Sequence, residues 1–366
     1  MKIVVTGTRG IPGIQGGVET HCEQLYPRIA TMGHDVTVIR RTPYITPENR
    51  LSEFKGVRLV DVYAPRKKSV EAIVHTFLAV IKARRLNPDV LHIHAIGPSL
   101  MVPFARLLGM KVVTTNHGPD YDRQKWGKLA RTVLRLGERL GTRFSNKVIV
   151  ISNVIAGILR DNYGRSDTEL IFNGVEKPVR SAGREYLREW GIEGRPYIVA
   201  LGRFVKEKGF HDLIEAYAAS GLRERCALVI AGDSDHPDEY SEALKRQARE
   251  AGVVLTGFIR GERLNQLMSN ASLFVLPSYH EGLPIALLEA MSYDLDVVVS
   301  DIPANRIPEL EEEDFFPAGD VASLATLLEK KIVAHRATRT YNLANYDWDE
   351  IAARTVDVYR EVCRSK

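Results

Sequence analysis

The sequence predicts an α/β protein built from two Rossmann-like, doubly wound domains facing one another across a cleft. Three observations lead there. Short β-branched runs alternate with helical patterns along the chain, the signature of βαβ units and parallel sheets. A length of 366 residues exceeds one ordinary core and suits two domains. The alternation also pauses once, at a polar stretch over residues 176–194 that follows Asn173-Gly174, and then resumes. The expected domains are therefore 1–175 and 195–366, joined by a linker over 176–194. Ligands of such folds bind outside the carboxyl ends of the strands.

In the first half, strands are expected at 2–6, 35–39, 57–62, 90–94, 111–115, 147–151 and 169–172, with helices between, among them 19–32 and 70–85. In the second half they are expected at 197–201, 227–231, 253–256, 273–276 and 297–300. A last helix over 349–363 suits packing on either domain, including back on the first.

Bulk properties narrow the class. The chain is 45% hydrophobic and 26% charged, as folded, soluble proteins are. No apolar run approaches the ~20 residues that span a bilayer. Lys2 leads straight into Ile3-Val4-Val5, which reads as a first strand and not as a signal peptide. Cys22, Cys226 and Cys363 are isolated, without metal-ligand spacing, so a reducing, cytoplasmic setting is expected. Residues 1–175 hold 26 Lys/Arg against 14 Asp/Glu, and residues 176–366 hold 24 against 32. Either the basic half faces something anionic, or surface charge has simply drifted.

The first strand runs into a glycine-rich loop, Gly7 to Gly17, ahead of a helix whose free amides suit an anion. Its spacing is not the Gly-x-Gly-x-x-Gly of a dinucleotide fold. Strand two ends in Arg40-Arg41, which keeps an NADP-dependent oxidoreductase open as an alternative.

The second half is more specific. Gly202-Arg203 and, on the same loop, Lys208-Gly209 place two cations beyond a strand's carboxyl end, where they can neutralise a diphosphate. Pro277-Ser278 precedes Glu281-Gly282-Leu283-Pro284 and an apolar helix over 285–291. Pro284 suits the first helical turn, and the amides of Gly282, Leu283 and Ile285 are candidates for a ligand. Glu289 lies inside that helix among apolar neighbours, a costly place for a carboxylate unless hydroxyl donors reach it. Asp233-Ser234-Asp235 has the form of a metal-holding pair, but Arg203 and Lys208 already supply countercharge, so a structural turn is expected. We expect no metal and no cofactor.

With these residues the chain resembles family 4 of the glycosyltransferases, which have the GT-B fold. The resemblance spans essentially the whole chain. It rests on Gly16-Gly17-Val18-Glu19, Asn116-His117-Gly118, Ile171-Phe172-Asn173-Gly174-Val175, Gly202-Arg203 with Lys208-Gly209, and Glu281 eight residues before Glu289. The opening Gly7-Thr8-Arg9-Gly10-Ile11-Pro12 also resembles sugar transferases of bacterial surface polysaccharide assembly. The resemblance implies transfer of a sugar from a nucleotide donor to a glycan or lipid-linked acceptor, with retained configuration. It implies that Gly16 and Gly17 meet the donor phosphates, that Gly202, Arg203 and Lys208 bind the diphosphate, and that Glu281 holds a donor-sugar hydroxyl. Glu289 would hold the ribose, main chain near Phe258 and Ile259 the base, and His117 would lie beside the transferred sugar. Residues 301–306 depart from the family's glycine-rich pattern.

Arg131, Arg135, Arg139 and Arg143 recur every four residues beside an apolar series that includes Trp126, Leu129, Leu136 and Phe144. A helix over 124–144 with this pattern suits an anionic membrane surface near the acceptor, with Glu19, Trp126, Lys128, Arg131 and Arg135 on that side. Packing of the apolar stripe on the sheet, leaving a solvated cationic face, is the other reading. No nucleic-acid motif is present, so nucleic acid is not expected as a partner. A non-catalytic nucleotide-sugar-binding protein remains as a different class of function.

Overall fold

The structure is a computed structural model describing residues 1–66, 70–122, 127–234, 237–334 and 339–364. It divides into two compact units: Met1–Gly174 together with Tyr346–Lys366, and Val175–Asn345.

The first unit holds β1 (Lys2–Thr6), α1 (Gly17–Thr31), β2 (Asp35–Arg41), β3 (Glu53–Phe54), β4 (Val57–Val62), α2 (Glu71–Leu86) and β5 (Val90–His94). It continues with α3 (Val102–Leu107), β6 (Val112–Asn116), α4 (Lys128–Phe144), β7 (Lys147–Val150), α5 (Asn153–Tyr163) and β8 (Glu169–Leu170). The strands form one sheet in the order β3-β4-β2-β1-β5-β6-β7-β8, parallel except for β3 on β4. β1 and β5 are buried along most or all of their lengths, as a sheet covered on both faces requires.

The second unit holds α6 (Glu185–Glu189), β9 (Tyr197–Leu201), α7 (Phe210–Ala219), β10 (Ala227–Ala231), α8 (Glu239–Ala251), β11 (Val254–Gly257) and α9 (Glu262–Ser269). Then come β12 (Leu273–Leu276), α10 (Ile285–Ser292), β13 (Val297–Asp301), β14 (Phe315–Pro317) and α11 (Val321–Ala334). Its sheet is parallel, in the order β11-β10-β9-β12-β13-β14.

Two features differ from the sequence reading. Residues 176–194 are no free linker. Gln266 of α9 accepts from the Tyr186 amide at 3.2 Å and donates to Glu185 at 2.7 Å, and Ser181 N–H donates to Ser269 Oγ at 3.0 Å. These bonds make the stretch part of the second unit. The short edge strands β3 and β14 were not expected, because two or three residues carry no readable period.

The last helix, α12 (Trp348–Arg364), belongs to the first unit. Ile351, Thr355 and Tyr359, with Ala352, Val356 and Val362, form a buried stripe at helical spacing that packs with Leu25, Tyr26 and Ile29 of α1. Each large apolar side chain buried there contributes roughly 1.5–3 kcal/mol. Gly174 lets the chain pass this helix: a Cβ on it would lie 2.5 Å from the Trp348 ring. Among the described residues no helix is long and apolar enough to cross a membrane.

A glycine at the end of β1 tests the packing. Gly7 has a φ of +96°, and a Cβ there would sit 2.1 Å from the His94 carbonyl oxygen. Gly33 also has positive φ (+85°), but meets nothing within 4 Å. Gly33→Ala should cost about 1–2 kcal/mol from the backbone alone, and Gly7→Ala on the order of 3 kcal/mol or more because the backbone must move. Urea unfolding of the two variants measures the difference; equal losses would contradict the contact.

Candidate functional site

In the second unit, the chain leaves β9 and β12 in opposite directions, β9 toward β10 and β12 toward β13. That topological switch point opens a crevice beyond the strand ends. The loop after β9 and the loop after β12 touch there through backbone. Gly209 has a φ of +65°, and a Cβ on it would lie 2.0 Å from the Pro277 carbonyl oxygen. Tyr279 N–H donates to the Glu207 carbonyl at 2.8 Å.

This contact brings two predicted residues together. Lys208 Nζ donates to Glu281 Oε1 at 2.5 Å, and Ser278 Oγ donates to the same oxygen at 2.6 Å. The Ser300 hydroxyl in turn donates to the Ser278 carbonyl. The Lys208 stem runs past Gly202, whose φ is +157°; a Cβ there would lie 3.5 Å from Lys208 Cδ and Cε. Arg203 sits on the same loop, half-buried, while its neighbour Phe204 is buried and donates its amide to the Asp233 carbonyl at 3.0 Å. Lys208 and Glu281 thus meet, and Arg203 shares their strand edge.

Glu289 lies one turn into α10, with Leu287, Leu288 and Ala290 buried around it. Glu289 is half-buried; desolvation of its carboxyl pushes it up to about 7, and no opposing charge among the described residues brings it down. Pro284 caps α10 from outside instead of forming its first turn as expected, with Leu283 and Pro284 buried and Gly282 half-buried. Phe258 is exposed and Ile259 buried, beyond the end of β11. Asp233 Oδ1 accepts from Lys245 Nζ at 2.9 Å and from Ser234 N–H at 2.8 Å, consistent with a structural turn; Asp235 lies outside the described residues.

The first unit has its own switch point, between β1 and β5. Here the glycine loop closes on itself. Glu19 is buried and accepts from Thr8 Oγ1 at 3.1 Å and Arg9 N–H at 3.0 Å, so it braces the loop and does not face an acceptor as expected. Gly16 has a φ of +150° and a Cβ there would strike Glu19 Oε2 at 2.1 Å, whereas a Cβ on Gly17 would meet nothing within 4 Å. Arg40 and Arg41 are also committed internally. Arg40 is buried and donates to Asp61 at 2.7 Å, Asn49 O at 2.8 Å and Leu51 O at 3.0 Å, and Arg41 donates to Glu71 at 2.9 Å. Neither is placed as a ligand for a 2′-phosphate, so the NADP reading falls.

His117 follows β6 on a turn set by Asn116. Asn116 Oδ1 accepts from Gly118 N–H at 2.9 Å, while its Nδ2 donates to Glu138 of α4 at 3.0 Å. Buried Glu138 also accepts from Tyr163 OH at 2.8 Å. His117 Nε2 pairs with His94 Nδ1 at 2.9 Å, and His21 Nδ1 with Asn173 Oδ1 at 3.0 Å. His94 Nε2 meets the Tyr26 hydroxyl, which with Tyr359 also approaches His92 Nδ1 at 3.0 and 2.6 Å. Desolvation lowers His21 to about 4 and His92 to about 3, and holds His94 and His117 well below the usual histidine range.

Helix α4 turns its small and polar face inward. Gly137, Glu138, Gly141 and Thr142 are buried, and a Cβ on Gly137 would lie 2.2 Å from the Ile96 carbonyl oxygen. Leu129, Leu136 and Phe144 are exposed, as are Lys128, Arg135, Arg139 and Arg143, while Arg131 is half-buried. Packing of the whole apolar stripe on the sheet is thereby contradicted. Arg123, Lys125 and Trp126 lie outside the described residues.

Two families divide nearly the whole chain. Residues 15–177 match the one described as Glycosyltransferase Family 4, and residues 184–332 match Glycosyl transferases group 1. The chain is a glycosyltransferase, a family 4 domain followed by a group 1 domain. This glycosyltransferase is 26% identical to an uncharacterized glycosyltransferase of Methanocaldococcus jannaschii, over 98% of both chains. It is 25% identical to a glycogen synthase of Mycobacterium tuberculosis, over 98% of its own length and 94% of that protein's. Among solved structures, a sucrose-phosphate synthase from Thermosynechococcus elongatus superposes with a TM-score of 0.81 at 21% identity, covering 99% of this chain and 98% of that one. The Anabaena protein HepE, solved in complex with UDP, gives 0.75 at 18% identity, covering 99% and 100%. The fold is GT-B, with two Rossmann-like domains.

Several residues of this glycosyltransferase escaped the sequence reading. Ser278 was quoted only as context for Glu281. His21, Tyr26, His92 and His94 were not singled out, although the spacing of two between His92 and His94 puts both on one face of β5.

The buried imidazoles make a pH prediction. They titrate near 6.5 when unfolded and far lower when folded, so the unfolded chain binds more protons below 6.5 and stability falls with pH. Each contributes about 1.4 kcal/mol per pH unit across that window. His75, buried and lowered to about 3, adds a fifth such imidazole, and Glu289, raised by desolvation, acts oppositely but is one group against five. The urea midpoint should therefore drop markedly between pH 7.5 and 5.5, and a flat profile would contradict neutral burial.

Proposed function

We propose that this glycosyltransferase takes a sugar from a nucleoside diphosphate donor, UDP- or GDP-linked in preference to dTDP-linked, and passes it with retained configuration to a glycan or lipid-linked hydroxyl. Assembly of a polysaccharide or glycoconjugate is the setting this chemistry serves. The observation that carries the reading is the Lys208–Glu281 pair at the switch point between β9 and β12. An ammonium has three N–H donors, and one goes to Glu281, which leaves two for a diphosphate. Glu281, positioned by Lys208 and Ser278, accepts from a hydroxyl of the donor sugar. Arg203 adds charge to the leaving group.

Glu289 accepts from the ribose. Glu289 is half-buried, but a carboxylate desolvated without a countercharge is costly, and two ribose hydroxyls offset that cost. A deoxyribose offers one fewer, which favours UDP and GDP. The names of related proteins support a nucleotide donor: HepE was solved with UDP-glucose as well as UDP.

In the transfer, the acceptor oxygen attacks the anomeric carbon as the bond from that carbon to the β-phosphate oxygen breaks. The acceptor's proton passes to a phosphate oxygen on the same face, which retains configuration without a covalent intermediate. Charge grows on the diphosphate, and preorganised Arg203 and Lys208 stabilise it there. Asp233 is held by Lys245, so the countercharge is assigned to the cations and not to a metal. In the first unit the His117 ring is fixed by His94, and the resemblance is what implies a role for it beside the transferred sugar.

Arg203→Ala and Lys208→Ala should each lower turnover by ~10²–10³, measured as nucleoside diphosphate released from a panel of nucleotide sugars. Near-normal turnover in both variants would overturn this account of the leaving group.

The outward face of α4 favours an anionic membrane surface as the place of the acceptor. Exposed Leu129, Leu136 and Phe144 flanked by Arg135, Arg139 and Arg143 combine apolar insertion with attraction to acidic headgroups. The protein should float with vesicles containing phosphatidylglycerol and be released by high salt. Leu136→Glu should abolish flotation, and absence of wild-type flotation would remove the membrane from the proposal.

A further inference from the structure

The loop over 301–306, which follows β13, carries no glycine and is held by its side chains. On its outer side Arg306 donates to both carboxylate oxygens of Asp301, at 2.7 and 2.8 Å, and its guanidinium lies 4.1 Å from the centre of the Phe315 ring. On its inner side a short 3₁₀ turn, Pro303–Asn305, folds the chain back, with Asn305 N–H donating to the Ile302 carbonyl at 2.9 Å. That turn carries the fully buried Asn305 side chain to Ser300 on β13. Asn305 Nδ2 donates to the Ser300 carbonyl at 2.9 Å and to Ser300 Oγ at 3.2 Å. A carbonyl only accepts, so these contacts fix which end of the amide faces Ser300.

The hydrogen bonds then run in one direction. The Ser300 hydroxyl has a single proton, and with Asn305 donating to its oxygen that proton goes to the Ser278 carbonyl. Strand pairing sets this reach: Leu276 of β12 stands opposite Val299 of β13, so Ser300 lies beside the point where the chain leaves β12 for Ser278. Ser278 Oγ in turn donates to Glu281 Oε1 at 2.6 Å. Asn305, Ser300 and Ser278 are all fully buried, so bulk water cannot replace a lost donor. Stability alone does not explain the asparagine. The Ser300 carbonyl already accepts from Ile302 N–H at 2.9 Å, and Asn305 Oδ1 is buried without a hydrogen-bond partner among the described residues. A buried acceptor left unpaired is costly, and an apolar side chain of the same size avoids that cost. What Asn305 adds is the orientation of the Ser300 hydroxyl.

We infer that Asn305 and Ser300 are positioning residues for Glu281, and that through Ser278 they set how strictly the site reads the hydroxyls of the donor sugar. The inference rests on the proposed assignment of Glu281 to that sugar. Lys208 meets the same carboxylate oxygen from the loop after β9, so the serine and asparagine fix the carboxylate from the side opposite the cation's loop. Nucleotide affinity is left to Lys208, Arg203 and Glu289.

The test titrates full-length protein by calorimetry with UDP-glucose, UDP-galactose and GDP-mannose, and with UDP and GDP alone. For the tightest donor, the ratio of nucleotide-sugar to nucleotide affinity isolates what the sugar contributes. Ser300→Ala, Asn305→Leu and Ser278→Ala, each shown to be folded by its urea transition, should lower that ratio roughly fivefold or more and leave the affinity for the bare nucleotide unchanged. In a Glu281→Ala background the same substitutions should cost nothing further, because no carboxylate is left to orient. A purely structural role would cost the same in both backgrounds. An unchanged ratio in Ser300→Ala and Asn305→Leu, or a loss that persists without Glu281, overturns the inference and leaves the donor reading standing. Failure of the wild type to bind any of these nucleotides, or an unchanged ratio in Glu281→Ala, overturns the donor reading and this inference with it.

Discussion

The contact on which the second unit's site depends is the one between Gly209 and the Pro277 carbonyl. It exists because Gly209 has no Cβ and takes a left-handed conformation, so the loop after β9 can lie against the loop after β12. Without that approach Lys208 would not reach Glu281, and the Ser278 hydroxyl would lose the partner it shares with Lys208. The pair sits where strand order reverses, so it borders a crevice that the sheet opens by topology alone. Chemistry that needs a cation and an acid side by side is thus placed by backbone constraint.

The first unit meets a different constraint. It buries an unusual number of polar rings, and such a network is stable only when each member finds a partner. Tyr26, Tyr359 and Thr115 supply those partners for His92 and His94, with Tyr359 delivered by the last helix. The C-terminal helix therefore completes the first unit's polar core as well as its apolar one. Glu138 shows the same economy on α4: one buried carboxylate orients Asn116 and holds Tyr163, while glycines at 137 and 141 let the helix sit close.

Much of this was legible in the residues. Strands such as β9 and β10 announced themselves as uninterrupted β-branched and aliphatic runs, which parallel sheets require, and their bounds agree with those read from sequence. Lys208 was singled out as a cation just beyond a strand's carboxyl end, and Glu281 by its place before an apolar helix, eight residues ahead of Glu289. What escaped was what depends on long-range pairing. No local signal says that Glu19 folds back onto Thr8, that Arg40 is consumed by Asp61 and two carbonyls, or that His21 reaches Asn173 across the unit. Residues 176–194 read as a linker because they are polar, yet Gln266 and Ser269 satisfy them from α9. On α4, periodicity found the stripes but could not tell which face the glycines would turn inward.

The central claim is that Glu289, raised toward neutrality by burial, ionises to receive the ribose of a nucleotide held by Lys208 and Arg203. Calorimetric titration with UDP at pH 6.5, in two buffers of different ionisation enthalpy, tests it most directly. The account predicts release of roughly half a proton or more on binding, because the carboxyl gives up its proton to accept hydroxyls, and a clear reduction of that release in Glu289→Gln. Binding with the same proton release in wild type and variant, or no binding of UDP or GDP by the wild type, would contradict it.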